Sequence, residues 1–180
     1  MKYNNSWVIQ KYQAEEKLKF LFFWGHTPPK NGVITKSCFS QWYESTFVVD
    51  GIEYQTAEHW MMAEKARLFK DEEILGEILK STSPGAAKAL GRQVRSFNVE
   101  KWQGHCYDIV KQGNIHKFSQ NEDLKTFLLN TKNRILVEAS PRDAIWGIGL
   151  AQDAANIENP ATWRGTNLLG YALMEARDEL

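Results

Sequence analysis

The dipeptide Asp50-Gly51 constrains this chain more than any other short stretch. It stands between Thr46-Phe47-Val48-Val49 and Ile52-Glu53-Tyr54, two segments rich in strand formers, and Asp-Gly in that setting specifies a two-residue hairpin turn. Directly behind it, from Gln55 to Arg67, the pattern changes. Thr56 suits an N-cap and the following residues are good helix formers. A hairpin that delivers the chain into a helix requires a fold that mixes antiparallel strands with helices.

That helix has an apolar body of Trp60, Met61, Met62, Ala63 and Ala66, yet carries Glu58 and Lys65 among these residues. Seven residues make about two turns, so the two charges point to one side, roughly 10 Å apart along the axis. They can form the floor of a site. Glu58 lies in the first turn, where the helix dipole favours its ionised form. It either stabilises the helix end or accepts a sugar hydroxyl or a proton. Lys65 either snorkels to solvent, pairs with a phosphate or carboxylate, or attacks as an amine.

The rest of the chain supplies candidate walls. Asp71, Ser83-Pro84, Asn98, and either Ser119 or Asn121 open further helices, and Thr166-Asn167 opens the last, with Leu169, Ala172, Leu173 and Ala176 facing inward. Lys19–Trp24 and Arg134–Glu138 read as strands; Gly25–Ser37 and Arg142–Thr166 read as long loops. Residues 1–19 are polar and read as a flexible or docking arm. Residues 20–180 read as one α+β domain, mainly helical with a small antiparallel sheet. No apolar run approaches the roughly 18 residues of a membrane span, and the polar N-terminus carries no signal-peptide pattern, so a cytoplasmic protein is expected. Cys38 and Cys106 then stay free thiols. The 22 basic and 22 acidic residues cancel, which gives no general pull toward nucleic acid or anionic membrane.

His59 has no second His or Cys three or four residues away, so it reads as a packed or capping residue and no metal is expected. Gly147-Ile148-Gly149 lacks the third glycine of a dinucleotide fingerprint. Asp143 is a turn carboxylate with Trp146 three residues on. Arg164-Gly165-Thr166-Asn167 at a helix start suits a phosphate or an ordinary cap. Arg92, after Gly91, suits a phosphate clamp or a dipole cation.

Taken in order, these pieces resemble the NADAR (YbiA-like) family. The resemblance runs through Trp24-Gly25-His26, Phe39 to Tyr43, Asp50-Gly51, Thr56 to Trp60 and Lys65-Ala66. It continues with Ser83-Pro84, Leu90-Gly91-Arg92, Trp102, Lys117-Phe118 and Leu136 to Pro141, and ends with Asp143, Trp146-Gly147 and Gly165 to Gly170. It covers about residues 20–180. Any one motif is unspecific; the ordered set is specific.

The resemblance implies an N-glycosidase that cuts the bond between a base and C1 of a phosphorylated ribose, without a cofactor. Two substrates go with the family: ADP-ribose on guanine in DNA, removed as an antidote to an ADP-ribosyltransferase toxin that would be its genomic partner, and phosphoribosyl-aminopyrimidine intermediates of riboflavin synthesis. The family's functional positions fall on Glu58, Trp102, Asp143 and Trp146. It also implies a lysine able to form an imine with C1, for which Lys65 and Lys36 are the candidates. Trp24, Ser40, His59, Arg92, Gly147, Thr166 and Asn167 are the remaining expected ligand contacts. Many members carry Ser-Asn-Phe where this chain has Ser40-Gln41-Trp42, and the early loop with Lys30 and Lys36 is long. Both departures favour ADP-ribosylated guanine. A non-catalytic ADP-ribose or NAD sensor is the alternative of another class, since aromatic walls and a phosphate cradle would serve it equally.

Overall fold

The computed structural model describes residues 1–180. Its elements in order are α1 (Asn5–Gln13), β1 (Phe20–Phe23), a 3-10 turn (Lys36–Phe39), β2 (Phe47–Val49), β3 (Ile52–Tyr54), α2 (Ala57–Leu68), α3 (Glu72–Lys80) and α4 (Pro84–Gly91). There follow α5 (Val99–Ser119), α6 (Glu122–Leu129), β4 (Ile135–Glu138), a second 3-10 turn (Pro160–Thr162) and α7 (Leu168–Glu179). The expected α+β, mainly helical domain forms.

The hairpin forms as the sequence dictates. Phe47 pairs with Tyr54 and Val49 with Ile52, and both turn residues, Asp50 and Gly51, have positive φ. The strands divide into two pairs. Besides the antiparallel β2–β3, β1 lies parallel to β4, with Phe20 opposite Ile135 and Phe23 opposite Glu138. Most helix starts are fixed by the expected caps: Thr56 accepts from His59 N–H, Asp71 from Ile74, Ser83 from Ala86 and Asn98 from Lys101.

Two helix starts differ. Asn121 precedes α6 without capping it; its amide donates to the carbonyls of Thr46 and Lys117. Asn167 sits before α7 in the left-handed region and does not cap that helix either. Its amide instead bridges to β4, accepting from Glu138 N–H at 3.0 Å and donating to the Leu136 carbonyl at 3.0 Å.

Residues 1–19 are not a free arm. Helix α1 buries Val8 completely and packs Trp7 on the core, with Tyr3 packed just ahead of it. Asn5 donates to the Gly165 carbonyl and accepts from the Tyr171 hydroxyl, and the Lys2 N–H meets Glu175. One fully buried valine and a few specific hydrogen bonds hold this helix, which is why its composition reads as solvated.

Helix α2 is the centre of the molecule. It packs against α3, α4 and α5, and Ala57 through Ala63 are all buried. Trp60 donates its indole N–H to the Ile109 carbonyl at 2.9 Å, so its large apolar surface is buried without stranding a polar atom. Around this helix the chain places β4, α7 and the Ser40–Trp42 segment on one side, and a cavity opens there.

Candidate active site

Glu58 lies in the first turn of α2 and is 5% exposed. Its backbone N–H donates to the Gln41 carbonyl at 3.0 Å, which ties the helix start to the Ser40–Trp42 segment. Burial pushes the Glu58 carboxyl up to about 6. Lys88, the Trp42 indole and Arg92 pull it back, and the charge of Asp143 adds to the rise. Two turns on, Lys65 donates to the Gly91 carbonyl at 2.7 Å and lies over the Phe97 ring, 4.3 Å from its centroid, and near Trp102 at 5.6 Å. Burial lowers its pKa, and Arg92 lowers it further.

These side chains face a cavity of about 210 Å³, whose walls include Ser40, Gln41, Trp42, Lys88, Arg92, Trp102, Glu138, Asp143 and Trp146. An outer groove of about 590 Å³ shares Ser40, Trp42, Lys88, Arg92, Glu138 and Asp143 with it, and adds Trp24, His26, Ser140 and Arg142. The groove's volume is of the order that suits a small-molecule ligand. The Asp143 carboxylate is locked by its own turn, accepting the N–H groups of Ile145 and Trp146 at 2.8 Å each. That geometry ties the carboxylate to the backbone of Trp146.

Ser40 is held from behind by Lys117. This lysine is fully buried and donates to the carbonyls of Cys38 and Ser40 at 2.7 and 3.0 Å. Burial draws its pKa down to about 8. Gln41 donates its amide N–H to Asn114 at 3.1 Å, while its Oε1 is buried without a partner. The other buried side-chain atom without a partner is Oε2 of Glu138, and both residues line the cavity. Buried polar atoms are nearly always satisfied. No group of three or more His, Cys, Asp or Glu side chains is arranged to hold a metal ion.

Glu58, Lys65, Asp143, Ser40, Arg92, Trp102 and Trp146 therefore come together on one cavity, and Trp24 lines the groove beside it. Five expected site residues lie elsewhere. His59 is buried against the Thr56 hydroxyl at 2.8 Å and the Ser81 carbonyl at 3.2 Å. Gly147 is buried beneath the Asp143 turn, its carbonyl accepting from Asn167 N–H. The phosphate cradle expected at Thr166-Asn167 is corrected: the Asn167 amide is used by β4, and the Thr166 hydroxyl donates to the Ile145 carbonyl at 2.5 Å. Lys36 donates to the Phe22 carbonyl at 2.7 Å and to Gln152 at 2.8 Å, away from the cavity walls.

Sequence reasoning missed Glu138, Lys88 and Gln41 as site residues. Lys88 reads as an ordinary helix-surface cation, and Gln41 reads only as a departure from a motif. Glu138 carries one faint signal, a charge closing the apolar run Ile135-Leu136-Val137. Burial first, then the charges of Asp143 and Glu58 against the relief offered by Lys88, raise the Glu138 carboxyl to about 8.

The chain is similar to known proteins over most of its length. The NADAR domain model matches residues 22–180. N-glycosidase R617 of Acanthamoeba polyphaga mimivirus is 48% identical over 168 residues, 89% of this chain and 96% of that protein. N-glycosidase YbiA of Escherichia coli strain K12 is 32% identical over 142 residues, 79% of this chain and 80% of that one. The NMR structure of E. coli YbiA matches with a TM-score of 0.69 at 28% identity, covering 89% of this chain and 84% of the other.

Proposed function

The chain belongs to the NADAR domain family, and from that premise we propose that it hydrolyses the bond between a base and C1 of a 5-phosphorylated or ADP-linked ribose, with ADP-ribose on guanine in DNA as its preferred substrate. The broader activity, glycosyl hydrolysis at an N-glycosidic bond, rests on relatives that are named N-glycosidases and are matched over 96% and 80% of their lengths. The observation that carries the finer reading is the composition of the cavity wall. Acidic groups (Glu58, Glu138, Asp143) and cations (Lys65, Lys88, Arg92) face the same space, with indole rings around them.

Cleaving an N-riboside builds positive charge on the sugar ring and negative charge on the departing base. A carboxylate about 4 Å from the ring, at an effective dielectric near 20, contributes about 4 kcal/mol, nearly a thousandfold in rate. Glu58 fits that role: it is buried, fixed at a helix start and ionised above about pH 6. Arg92, Lys88 and, on the groove side, Arg142 suit the phosphates, and Trp102 and Trp146 suit stacking on the base or adenine. An imine at C1 would draw on Lys65, since Lys36 is engaged elsewhere.

The test offers two substrates side by side, a DNA oligonucleotide with ADP-ribosylated guanine and a phosphoribosyl-aminopyrimidine. Release of ADP-ribose from the first alone supports the proposal. Cleavage of the second alone transfers the activity to that substrate. Tight ADP-ribose binding with neither substrate cut would make the protein a sensor. Borohydride trapping that labels Lys65 would place the imine there, and labelling of Lys36 would move it.

A further inference from the structure

We propose that Glu138 is the general acid that protonates the departing base. The inference rests on the N-glycosidase reading above and adds a residue to it. Its starting point is a disparity among the three carboxyl groups of the cavity. Asp143 accepts two backbone N–H groups. Glu58 sits at a helix N-terminus beside the Trp42 indole. Glu138 has one oxygen buried with no partner, and its side chain accepts no hydrogen bond from the protein. An ionised carboxylate needs donors, and neighbouring carboxylates disfavour a further negative charge. The group with an oxygen enclosed and partnerless is the one that keeps its proton.

Position agrees with protonation state. Glu138 ends β4, and its backbone is clamped on both sides, its N–H by Asn167 at 3.0 Å and its carbonyl by Ile148 N–H at 2.9 Å. Its side chain lines both the inner cavity and the outer groove, so it stands where the two compartments join. A sugar held over Glu58 in the inner cavity has its C1–N bond in the space that Glu138 also lines. The charged and titratable groups facing it are Glu58 and Lys65 from α2, Lys88 and Arg92 from the α4 region, Asp143 and Arg142 from the following loop, and His26 from the loop after β1. The paired strand β1 brings none, being Phe20 to Phe23. With its pKa raised to about 8, Glu138 is about nine-tenths protonated at pH 7.

The step balances. The C1–N bond breaks and its electron pair stays on the base nitrogen, which takes the proton from the Glu138 carboxyl. Water adds to C1, and its proton returns to the Glu138 carboxylate. Such proton transfers contribute about 10²–10⁴-fold.

The experiment measures kcat/KM against pH from 5 to 10 for wild type, Glu138→Gln and Glu138→Asp, on whichever of the two N-ribosides the wild type cleaves. ADP-ribose affinity is measured alongside as a check of folding. The expected wild-type profile loses activity as pH rises through about 8. Glu138→Gln should bind ADP-ribose normally, lose at least about a hundredfold in kcat at pH 7, and show no alkaline limb. Glu138→Asp should recover part of the rate with its limb displaced. The inference is overturned if Glu138→Gln retains turnover within threefold of wild type, or if the alkaline limb persists in it. If Glu138→Gln does not fold, Glu138→Asp decides through its limb, and an undisplaced limb overturns the assignment. A wild type that cleaves neither riboside overturns the activity and this inference together.

Discussion

Glu58 is a buried carboxylate whose ionised form weighs against stability. Its pKa is raised from 4.5 to about 6 in the fold, so the native state holds the proton more tightly than the unfolded chain. The resulting stabilisation is complete below the unfolded value and is lost as pH rises through about 6. At pH 8 the ionised side chain therefore costs roughly 2 kcal/mol that a neutral isostere would not. Glu58→Gln should lose at least about a hundredfold in turnover while resisting urea better than wild type at pH 8 and equally at pH 4. Equal urea midpoints at both pH values would show that burial does not set this carboxyl. Glu58 was legible in the sequence because a helix start announces itself through Thr56 and the apolar residues behind it. Lys65 was legible by its spacing from Glu58, but its advantage over Lys36 was not. Only the fold shows that Lys36 is directed at Phe22 and Gln152. Glu138 was hidden because a charge at the end of a strand has no periodicity to betray which compartment it enters.

At the scale of elements, the site depends on how α7 and the Ser40–Trp42 segment are held. Gly170 in the first turn of α7 lies so close to β4 that an added Cβ would be 2.1 Å from the Leu136 carbonyl oxygen and 2.6 Å from the Asn167 amide. Neither can yield without moving the strand that ends in Glu138. Gly170→Ala should destabilise the protein by about 2–3 kcal/mol and lower kcat, read by thermal unfolding and by rate. A variant with wild-type stability would mean that α7 can slide. Lys117→Met poses a different trade. It removes an ammonium whose burial is itself costly, as its fall to about 8 indicates, and it strands the Cys38 and Ser40 carbonyls. The two effects oppose, so the expected result is a stability change under about 2 kcal/mol with faster amide exchange at residues 38–42 and a raised KM. Unchanged exchange there would remove Lys117 from the support of the site. Four helix caps and the hairpin were legible because each is encoded within a few residues. The parallel β1–β4 pair and the Asn167 bridge were not, since both join segments distant in sequence whose local pattern is the same with or without the partner.

For the whole molecule, charge balance and the placement of the cavity together decide how a DNA strand would be gripped. The formal net charge is zero, so no long-range field draws in a polyanion. Next to the cavity the groove offers Lys88, Arg92 and Arg142, and an ADP-ribosyl group would itself occupy some of these cations. Counterion release from at most three phosphates gives a slope of log affinity against log salt of about −2 for a single strand. KM for an ADP-ribosylated oligonucleotide should therefore rise by no more than about twentyfold between 50 and 200 mM salt. If recognition rests on the modification, shortening the oligonucleotide should change it little. A second cationic groove, around Lys17, Lys19 and Lys132 beside Trp7, supplies the contrary case. If the strand also lay there, the slope would steepen beyond about −4 and charge reversal at Lys132 would flatten it. Titrating KM against salt for wild type and Lys132→Glu separates the two: a shallow slope shared by both proteins means that the enzyme reads the ribosyl group, and a steep slope lost in the variant means that it grips the nucleic acid.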